Sequence, residues 1–230
     1  VKRLFDILIS IAALIILAPL LLVAALAIYV SDGFPVIYRA RRVGRDGRVF
    51  VMHKFRTMRV DRSEDASVIT SPGDKRIFPV GLLLRRLKID EMPQFYDVLR
   101  GVMSLVGPRP EDPKIVRDHY APEHMETLAV RPGLCSPGSV YNYTHGDTLI
   151  GQDDPAHDYL ARLLPVKLAL DLVYVRNISL LYDFRVIART VRVIVLSALG
   201  KRQFADPPEM SLADPIVAAR MPDQRPARAR

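Results

Sequence analysis

Apolar positions are spread very unevenly along this chain. Residues 7 to 30, ILISIAALIILAPLLLVAALAIYV, carry no charge. A bilayer core needs about 20 apolar residues of helix. A secretory signal has a shorter apolar region of about 7–15 residues and a small-residue cleavage site. Tyr29-Val30-Ser31-Asp32 offers no such site, so the run predicts a membrane-embedded helix over residues 1–31. Pro19, near its middle, lacks a backbone donor and predicts a kink. Two stretches follow that are rich in β-branched and aromatic residues, VIYR over 36–39 and RVFVMHKF over 48–55. Gly44-Arg45-Asp46-Gly47 between them predicts a β-hairpin. Residues 61–76 are polar, and Ser71-Pro72-Gly73-Asp74 marks a mobile loop.

Helical patterning returns over 77–87, and again from Asp90 or Pro93 to Arg100, where Pro93 suits a first turn. Residues 112–129 read as helix, and residues 131–158, rich in Gly, Pro, Asn and Asp, read as loop. Two further helices are expected over 166–176 and 180–199, the second capped by Ser179. Arg185, Arg189 and Arg192 share one face of that last helix among Val186, Ile187, Val191, Ile194 and Val195. Such a helix either lies on a membrane surface or packs on the core and solvates its arginines. From Lys201 onward Pro, Ala and Arg dominate, and a disordered tail is expected over 200–230. The fold class that follows is α+β, mostly helical. A Pro-kinked membrane helix leads into a hairpin and a helical catalytic domain over 32–199 with interfacial amphipathic helices.

Composition refines this picture. The chain has 230 residues and a formal net charge of +8. That is enough for one sizeable core outside the membrane segment. Eight Lys/Arg and a single acid, Asp46, lie between Arg39 and Arg59. A basic patch beside a membrane helix suits anionic lipid. No recognition motif supports nucleic acid as the partner. Lys2 and Arg3 precede the apolar run, and Arg39, Arg41 and Arg42 follow it. Basic flanks prefer the cytoplasmic side. A re-entrant helix would keep both there, whereas a simple span would leave one on the wrong side; the flanks alone leave both arrangements open.

Cys135 is the only cysteine, which excludes an internal disulfide and a multi-cysteine zinc site and fits a reducing compartment. His119 and His124 are not at the i, i+4 spacing of a helical metal pair. No Walker A loop, GxGxxG or serine elbow is present.

The candidate chemistry lies in RRLKIDEMPQFYDVLRGVMSLVGPRP, residues 85–110. Asp90 and Glu91 are adjacent carboxylates preceded by Arg85, Arg86 and Lys88 and followed by Arg109 between Pro108 and Pro110. An Asp-Glu pair taken alone is ordinarily solvated surface. Here rigid Pro and Gly turns surround it. Arginine forks neutralise phosphate oxygens. A carboxylate can attack phosphorus or hold a divalent metal.

Several of these segments resemble the bacterial sugar transferases, the monotopic phosphoglycosyl transferases that prime surface-glycan synthesis. The resemblance runs through Lys2-Arg3-Leu4-Phe5-Asp6, Pro19, Pro35-Val36-Ile37-Tyr38, Arg42-Val43-Gly44 and Lys54-Phe55-Arg56-Thr57-Met58. It is densest at Asp90-Glu91-Met92-Pro93-Gln94 and Met103-Ser104-Leu105-Val106-Gly107-Pro108-Arg109-Pro110. Arg131-Pro132-Gly133-Leu134 and the segment with Tyr174, Ser179, Leu180 and Asp183 extend it to about residue 199. The resemblance implies transfer of a phosphosugar from a UDP-sugar to a polyprenol phosphate, with release of UMP. It implies a covalent intermediate on Asp90, and magnesium held at Asp90 and Glu91. Arg85 and Arg109 match basic positions near the phosphates; Lys54, Arg56 and Arg131 are further candidates for binding them. It also implies a re-entrant helix at the bacterial inner membrane with the catalytic domain on the cytoplasmic face. A homodimer is compatible with this sequence, but nothing in it requires one.

Two departures from the family pattern stand out. Cys135-Ser136-Pro137-Gly138-Ser139-Val140 replaces a more usual Thr-Gly and apolar stretch, and Ala18 precedes Pro19 where a serine is frequent. Larger members carry an extra multi-helix membrane domain ahead of this module. The chain begins at Val1 rather than Met, so a fragment is one expectation. The alternative to catalysis is a membrane-anchored scaffold that binds anionic lipid and carries Asp90-Glu91 as a surface pair.

Overall fold

The computed structural model describes residues 1–59, 73–151 and 153–218. Most of the expected mobile loop at 61–76 therefore lies outside the described residues. The apolar run forms one helix, α1 (Lys2–Asp32), helical on both sides of Pro19. Ile15, Ile16 and Leu22 remain about seven-tenths exposed. A core helix of a soluble domain would bury such residues; this one presents them outward along most of its length.

Only the ends of α1 are held. Near its start, Lys2 Nζ pairs with Asp183 at 2.5 Å. Arg3 donates to the carbonyls of Val98 (2.6 Å) and Leu99 (3.0 Å). Asp6, buried, accepts from Ser104 Oγ at 2.8 Å and Leu105 N–H at 3.1 Å. Near its other end Ala24 and Ile28 join a core cluster with Phe55, Phe78, Leu84 and Ile89. Asp32 accepts from Arg56, whose guanidinium also takes the carbonyls of Pro35 (2.6 Å), Asp32 and Gly33 (both 2.8 Å). Arg56 thus closes the C-terminal end of α1, where a helix leaves carbonyls without partners.

The hairpin forms as expected. Strands β1 (Ile37–Val43) and β2 (Val49–Phe55) pair antiparallel, from Ile37 opposite Phe55 to Val43 opposite Val49. The turn uses the left-handed region at Asp46 (φ 57°) and Gly47 (φ 73°), which Asp and Gly tolerate. Beyond it lie α2 (Pro79–Arg86), α3 (Gln94–Arg100) and α4 (Pro113–His119). The helix expected over 112–129 is divided, because Pro122 disfavours a helical Ala121; a 3-10 helix over Pro122–Ala129 completes it.

The loop expected over 131–158 is largely regular structure. Strand β4 (Gly133–Cys135) pairs parallel with β3 (Ser104–Val106). Helices α5 (Pro137–Leu149) and α6 (Pro155–Asp158) follow. The α5 sequence, PGSVYNYTHGDTL, has poor helix propensity and no clear apolar stripe. Its start is fixed by Ser136, whose hydroxyl accepts from Ser139 N–H at 2.9 Å, and by Pro137 in the first turn. Gly138 lets it press against α7 (Leu164–Arg176): a Cβ there would meet Lys167 O at 2.6 Å and Asp171 Oδ1 at 2.8 Å. Tertiary contact outweighs propensity here.

Ser179 caps α8 (Leu180–Ala198), accepting from Tyr182 N–H at 3.2 Å. Asp183, Val186, Thr190 and Val193 form its buried face, while Leu181, Phe184, Val191 and Val195 are exposed. The arginine stripe is split, since Arg189 pairs with Glu209 at 2.6 Å. The expected disorder after residue 200 does not extend through 218. Helix α9 (Met210–Ala218) packs on α7, with Ala213 fully buried in the core cluster of Leu164, Leu168 and Leu170. The apolar spacing of Met210, Ala213, Ile216 and Val217 explains that packing, although Pro and Ala dominate the local composition. Residues 219–230 lie outside the described residues.

Candidate functional site

The polypeptide reverses sharply between α2 and α3, and that reversal makes the site. Lys88 takes the left-handed conformation (φ 56°) and ends α2. A non-glycine residue there carries local strain of about 1 kcal/mol. A 3-10 turn, Ile89–Glu91, follows. Ile89 buries beside Ala24 and Ile28 of α1, so the turn sits against the inner end of the apolar helix. Asp90 and Glu91 are both buried, at 6% and 8% exposure.

Their two environments differ. Glu91 lies in the fork of Arg109, which donates to Oε1 at 2.6 Å and Oε2 at 2.9 Å. Tyr143 of α5 donates its hydroxyl to Oε2 at 3.1 Å. Burial works to raise the Glu91 carboxyl pKa, but Arg109 and Lys88 overcome it and hold the group down at about 2. Asp90 has no such fork. Its Oδ1 is buried with no hydrogen-bond partner. Burial, reinforced by the Glu91 charge, pushes the Asp90 carboxyl up to about 6. One of two neighbouring acids is thus locked as an ion while the other is poised and open.

Cations surround the pair. Lys88 Nζ sits 3.8 Å from the Tyr143 ring centroid, close enough for a cation–π contact. Arg85 donates from Nε to Thr57 Oγ1 at 2.9 Å. That geometry needs Gly81, since a Cβ there would lie 2.2 Å from Thr57 O. Lys54, on β2, feels both carboxylates; burial pulls its pKa down to about 8 against the attraction of Asp90. Four cations, Lys54, Arg85, Lys88 and Arg109, therefore face two carboxylates. The surplus positive charge suits a polyanion.

The Arg109 loop is itself anchored. Asp171 of α7 accepts from Arg109 N–H at 3.3 Å and from Gly138 N–H at 2.9 Å. One carboxylate thus positions both the Arg109 backbone and the start of α5, which carries Tyr143. Gln94, buried four residues after Asp90, has neither amide atom hydrogen-bonded. An amide left unpaired in a protein interior is costly.

Asp90, Glu91, Arg85, Arg109 and Lys54 come together at this site as candidates. The structure places two other candidates elsewhere. Arg56 is committed to the end of α1, as described above. Arg131 donates from Nε to Gly101 O at 2.9 Å and lines a separate cavity. Sequence reasoning missed Tyr143, Gln94 and Asp171 as site residues. Gln94 stood inside the densest motif; Tyr143 and Asp171 carried no comparable local signal.

A divalent ion has a limited donor set here. Among the described residues no group of three or more His, Cys, Asp or Glu could form a cage. Asp90 Oδ1 has no partner, and Glu91 Oε1 keeps a second lone pair beside Arg109, whereas Oε2 already accepts from Arg109 and Tyr143. Two carboxylates suit an ion that takes its remaining ligands from water and substrate phosphates, as magnesium commonly does.

Comparison with known proteins shows the family. The family model described as bacterial sugar transferase matches residues 1–197. The UDP-N-acetylgalactosamine-undecaprenyl-phosphate N-acetylgalactosaminephosphotransferase of Aeromonas hydrophila is 35% identical over 88% of this chain and 45% of its own length. The undecaprenyl-phosphate glucose phosphotransferase of Komagataeibacter xylinus is 38% identical over 85% of this chain and 36% of its own. The exopolysaccharide production protein PSS of Rhizobium leguminosarum bv. phaseoli is 37% identical over 83% of this chain and 92% of its own. The chain thus spans less than half of the first two relatives and nearly all of the third. With a family match over 1–197 and the acidic pair set among cations at the end of an apolar helix, this chain belongs to the bacterial sugar transferase family.

Proposed function

We propose that the protein transfers a phosphosugar from a UDP-sugar to a polyprenol phosphate in the membrane, as the first membrane step of a surface glycan. The observation that carries this reading is Asp90: buried, with one carboxylate oxygen unpartnered, among Lys54, Arg85, Lys88 and Arg109. The relatives' names supply the substrate classes, N-acetylgalactosamine and glucose donors with undecaprenyl phosphate among them.

In this reading the Asp90 carboxylate attacks the sugar-linked phosphorus. An oxygen–phosphorus bond forms to Asp90, the bond to the bridging oxygen breaks, and UMP leaves with that electron pair. The phosphate of the polyprenol then attacks the same phosphorus and frees Asp90. A polyprenol diphosphate sugar results. Splitting the transfer this way lets the polyprenol phosphate attack a reactive acyl phosphate instead of the diphosphate itself. Arg109, Arg85, Lys54 and Lys88 neutralise the diphosphate so that an anionic nucleophile can approach. Magnesium held at Asp90 and Glu91 would supply Lewis-acid neutralisation of the phosphate oxygens. Glu91, held ionised by Arg109, keeps that fork in place.

UMP release by the chain in nanodiscs tests the assignment. The assay uses magnesium, polyprenol phosphate and a panel of UDP-sugars. Release with one donor, abolished by chelation, is the expected result. No release with any donor would favour the scaffold reading. The rate should rise with pH through about 6, as Asp90 ionises. Lys54→Met removes a charge that favours the anion, so the acid limb of the profile should move to higher pH. An unmoved limb would uncouple Lys54 from Asp90.

We further propose that α1 is re-entrant, with the catalytic domain on the cytoplasmic face. A straight 31-residue helix extends about 46 Å, more than the roughly 30 Å of a bilayer core. Yet Lys2, Arg3 and Asp6 at one end and Asp32 at the other all bond to residues of one domain. A spanning helix would put those two sets of partners on opposite sides of the membrane. Cysteine labelling tests this, with Cys135→Ser as background and Val1→Cys as the reporter. Labelling of that site only from outside the inner membrane would exclude the re-entrant arrangement.

A further inference from the structure

A cavity of about 270 Å³ lies at the N-terminal end of α1, and neither Asp90 nor Glu91 lines it. Lys2, Arg3, Arg45 and Arg131 line it with Asp6 and Ser104. No residue of the carboxylate site does. Ser104 and Val106 of β3 line the cavity, and Arg109 follows beyond the end of that strand.

The acids near this cavity are already engaged. Asp6 takes Ser104 Oγ and Leu105 N–H. Asp183 takes Lys2 Nζ at 2.5 Å and the Tyr174 hydroxyl at 2.6 Å. Arg3 and Arg131 are held only by neutral carbonyls, those of Val98, Leu99 and Gly101. No carboxylate among the described residues is within salt-bridge distance of either. Arg45 has only Asp46 at 3.5 Å, and both side chains are more than half exposed, so that pair contributes little. Three guanidinium groups thus outnumber Asp6, the one acid in the cavity wall, and Arg3 and Arg131 have no ion-pair partner there.

Apolar groups from Val106, Ala129, Val130 and Ile178 complete the walls. The elements that supply Lys2, Arg3 and Ile178 continue into exposed Leu4, Leu8, Leu181 and Phe184. A cavity with cationic walls, apolar lining and an apolar surround suits a phosphate attached to a lipid better than a free anion.

We propose that this cavity binds the phosphate of an anionic membrane phospholipid and so fixes the start of α1 at the membrane surface. Arg131 and Arg45 reach the phosphate oxygens, and Val106 and Ile178 pack against the glycerol end. The proposal rests on the membrane reading of α1, but it is read by binding alone, so failure of the UMP assay leaves it testable.

The test titrates the detergent-purified chain with soluble dihexanoyl phosphatidylglycerol, dihexanoyl phosphatidylcholine or inorganic phosphate. Native mass spectrometry counts the bound ligand. One phosphatidylglycerol per chain is expected, bound at least about tenfold more tightly than the other two ligands. Arg131→Gln and Arg45→Glu should each weaken it by about tenfold or more. Arg45 is exposed, so its variant keeps the test alive should Arg131→Gln fail to fold. Lys114→Glu, an exposed charge change on α4 outside the cavity, should leave binding intact. Equal binding of phosphatidylcholine would overturn the proposal. So would equal affinity in the Arg45 variant, or a loss of the same size in Lys114→Glu. Inorganic phosphate binding as tightly as the lipid would make this a free-anion site and reject the lipid.

Discussion

Asp90→Asn is expected to lower UMP release on the order of 10⁴-fold or more, the scale on which loss of an attacking group is felt. Asparagine has almost the same shape but no anionic oxygen to form the bond to phosphorus. The fold should survive, for a reason visible in the native site. The Asp90 carboxyl is buried, has an unpartnered Oδ1 and lies beside the ionised Glu91. Each of these makes the charge costly to keep. A neutral amide relieves part of that cost, so the melting temperature of Asp90→Asn should equal or exceed that of the wild type. Lost activity with unchanged or raised stability is the signature of a group held for chemistry. Release by Asp90→Asn within about tenfold of the wild type would remove Asp90 as nucleophile.

Arg109→Met should act on both properties. It leaves Glu91 buried and ionised without its fork, and breaking a buried ion pair on one side costs about 3–5 kcal/mol. The lower end applies, because the Arg109 side chain retains 21% exposure. At roughly 2–4 °C per kcal/mol for a chain of this size, the melting temperature should fall by about 6–12 °C, and turnover should be lost. The double variant Arg109→Met with Glu91→Gln removes both charges together. It should recover most of the stability and none of the turnover. Recovery of turnover in the double variant would mean that Arg109 serves only to balance Glu91. A stability loss no smaller in the double than in the single variant would mean that the pair is not the source of the effect.

These two variants probe residues that were legible in the sequence, and their legibility has a physical basis. Asp90, Glu91, Arg85 and Arg109 fall within one stretch of 26 residues, 85–110, punctuated by Pro and Gly. Their closeness in sequence and the rigid turns between them make the group legible, and Thr57, α1 and Asp171 then fix its geometry. Lys54 joins from β2, and only the packing of the hairpin against the Lys88 turn makes it a neighbour of Asp90. Tyr143 was invisible because α5 has neither strong propensity nor an apolar stripe. Its helix exists through the Ser136 cap and the Gly138 contact with α7. Asp171 reads as an ordinary helix residue until its two backbone partners, Arg109 and Gly138, are brought to it.

Arg56 and Arg131 show the opposite effect. Both stand in motifs among other functional residues, and charge alone could not separate them from Arg85. Arg56 is used up by the carbonyls and carboxylate at the end of α1, and Arg131 turns to the carbonyl of Gly101. An arginine's donors go to whichever acceptors the fold presents, and those acceptors are remote in sequence.

The long apolar helix, the hairpin, most of the helices and the acidic pair among cations were legible along the chain. Each depends on periodicity, turn chemistry or composition within a short window. Tertiary structure alone decided that α1 is held at both ends by one domain, that β3 and β4 pair in parallel across intervening helices, and that α9 packs where composition suggested disorder. It also decided that Glu91 is locked by Arg109 while Asp90 is left open. Those outcomes depend on contacts between distant segments and on which buried groups find partners. Adjacent residues of like charge look equivalent along the chain; burial and a single guanidinium made them different.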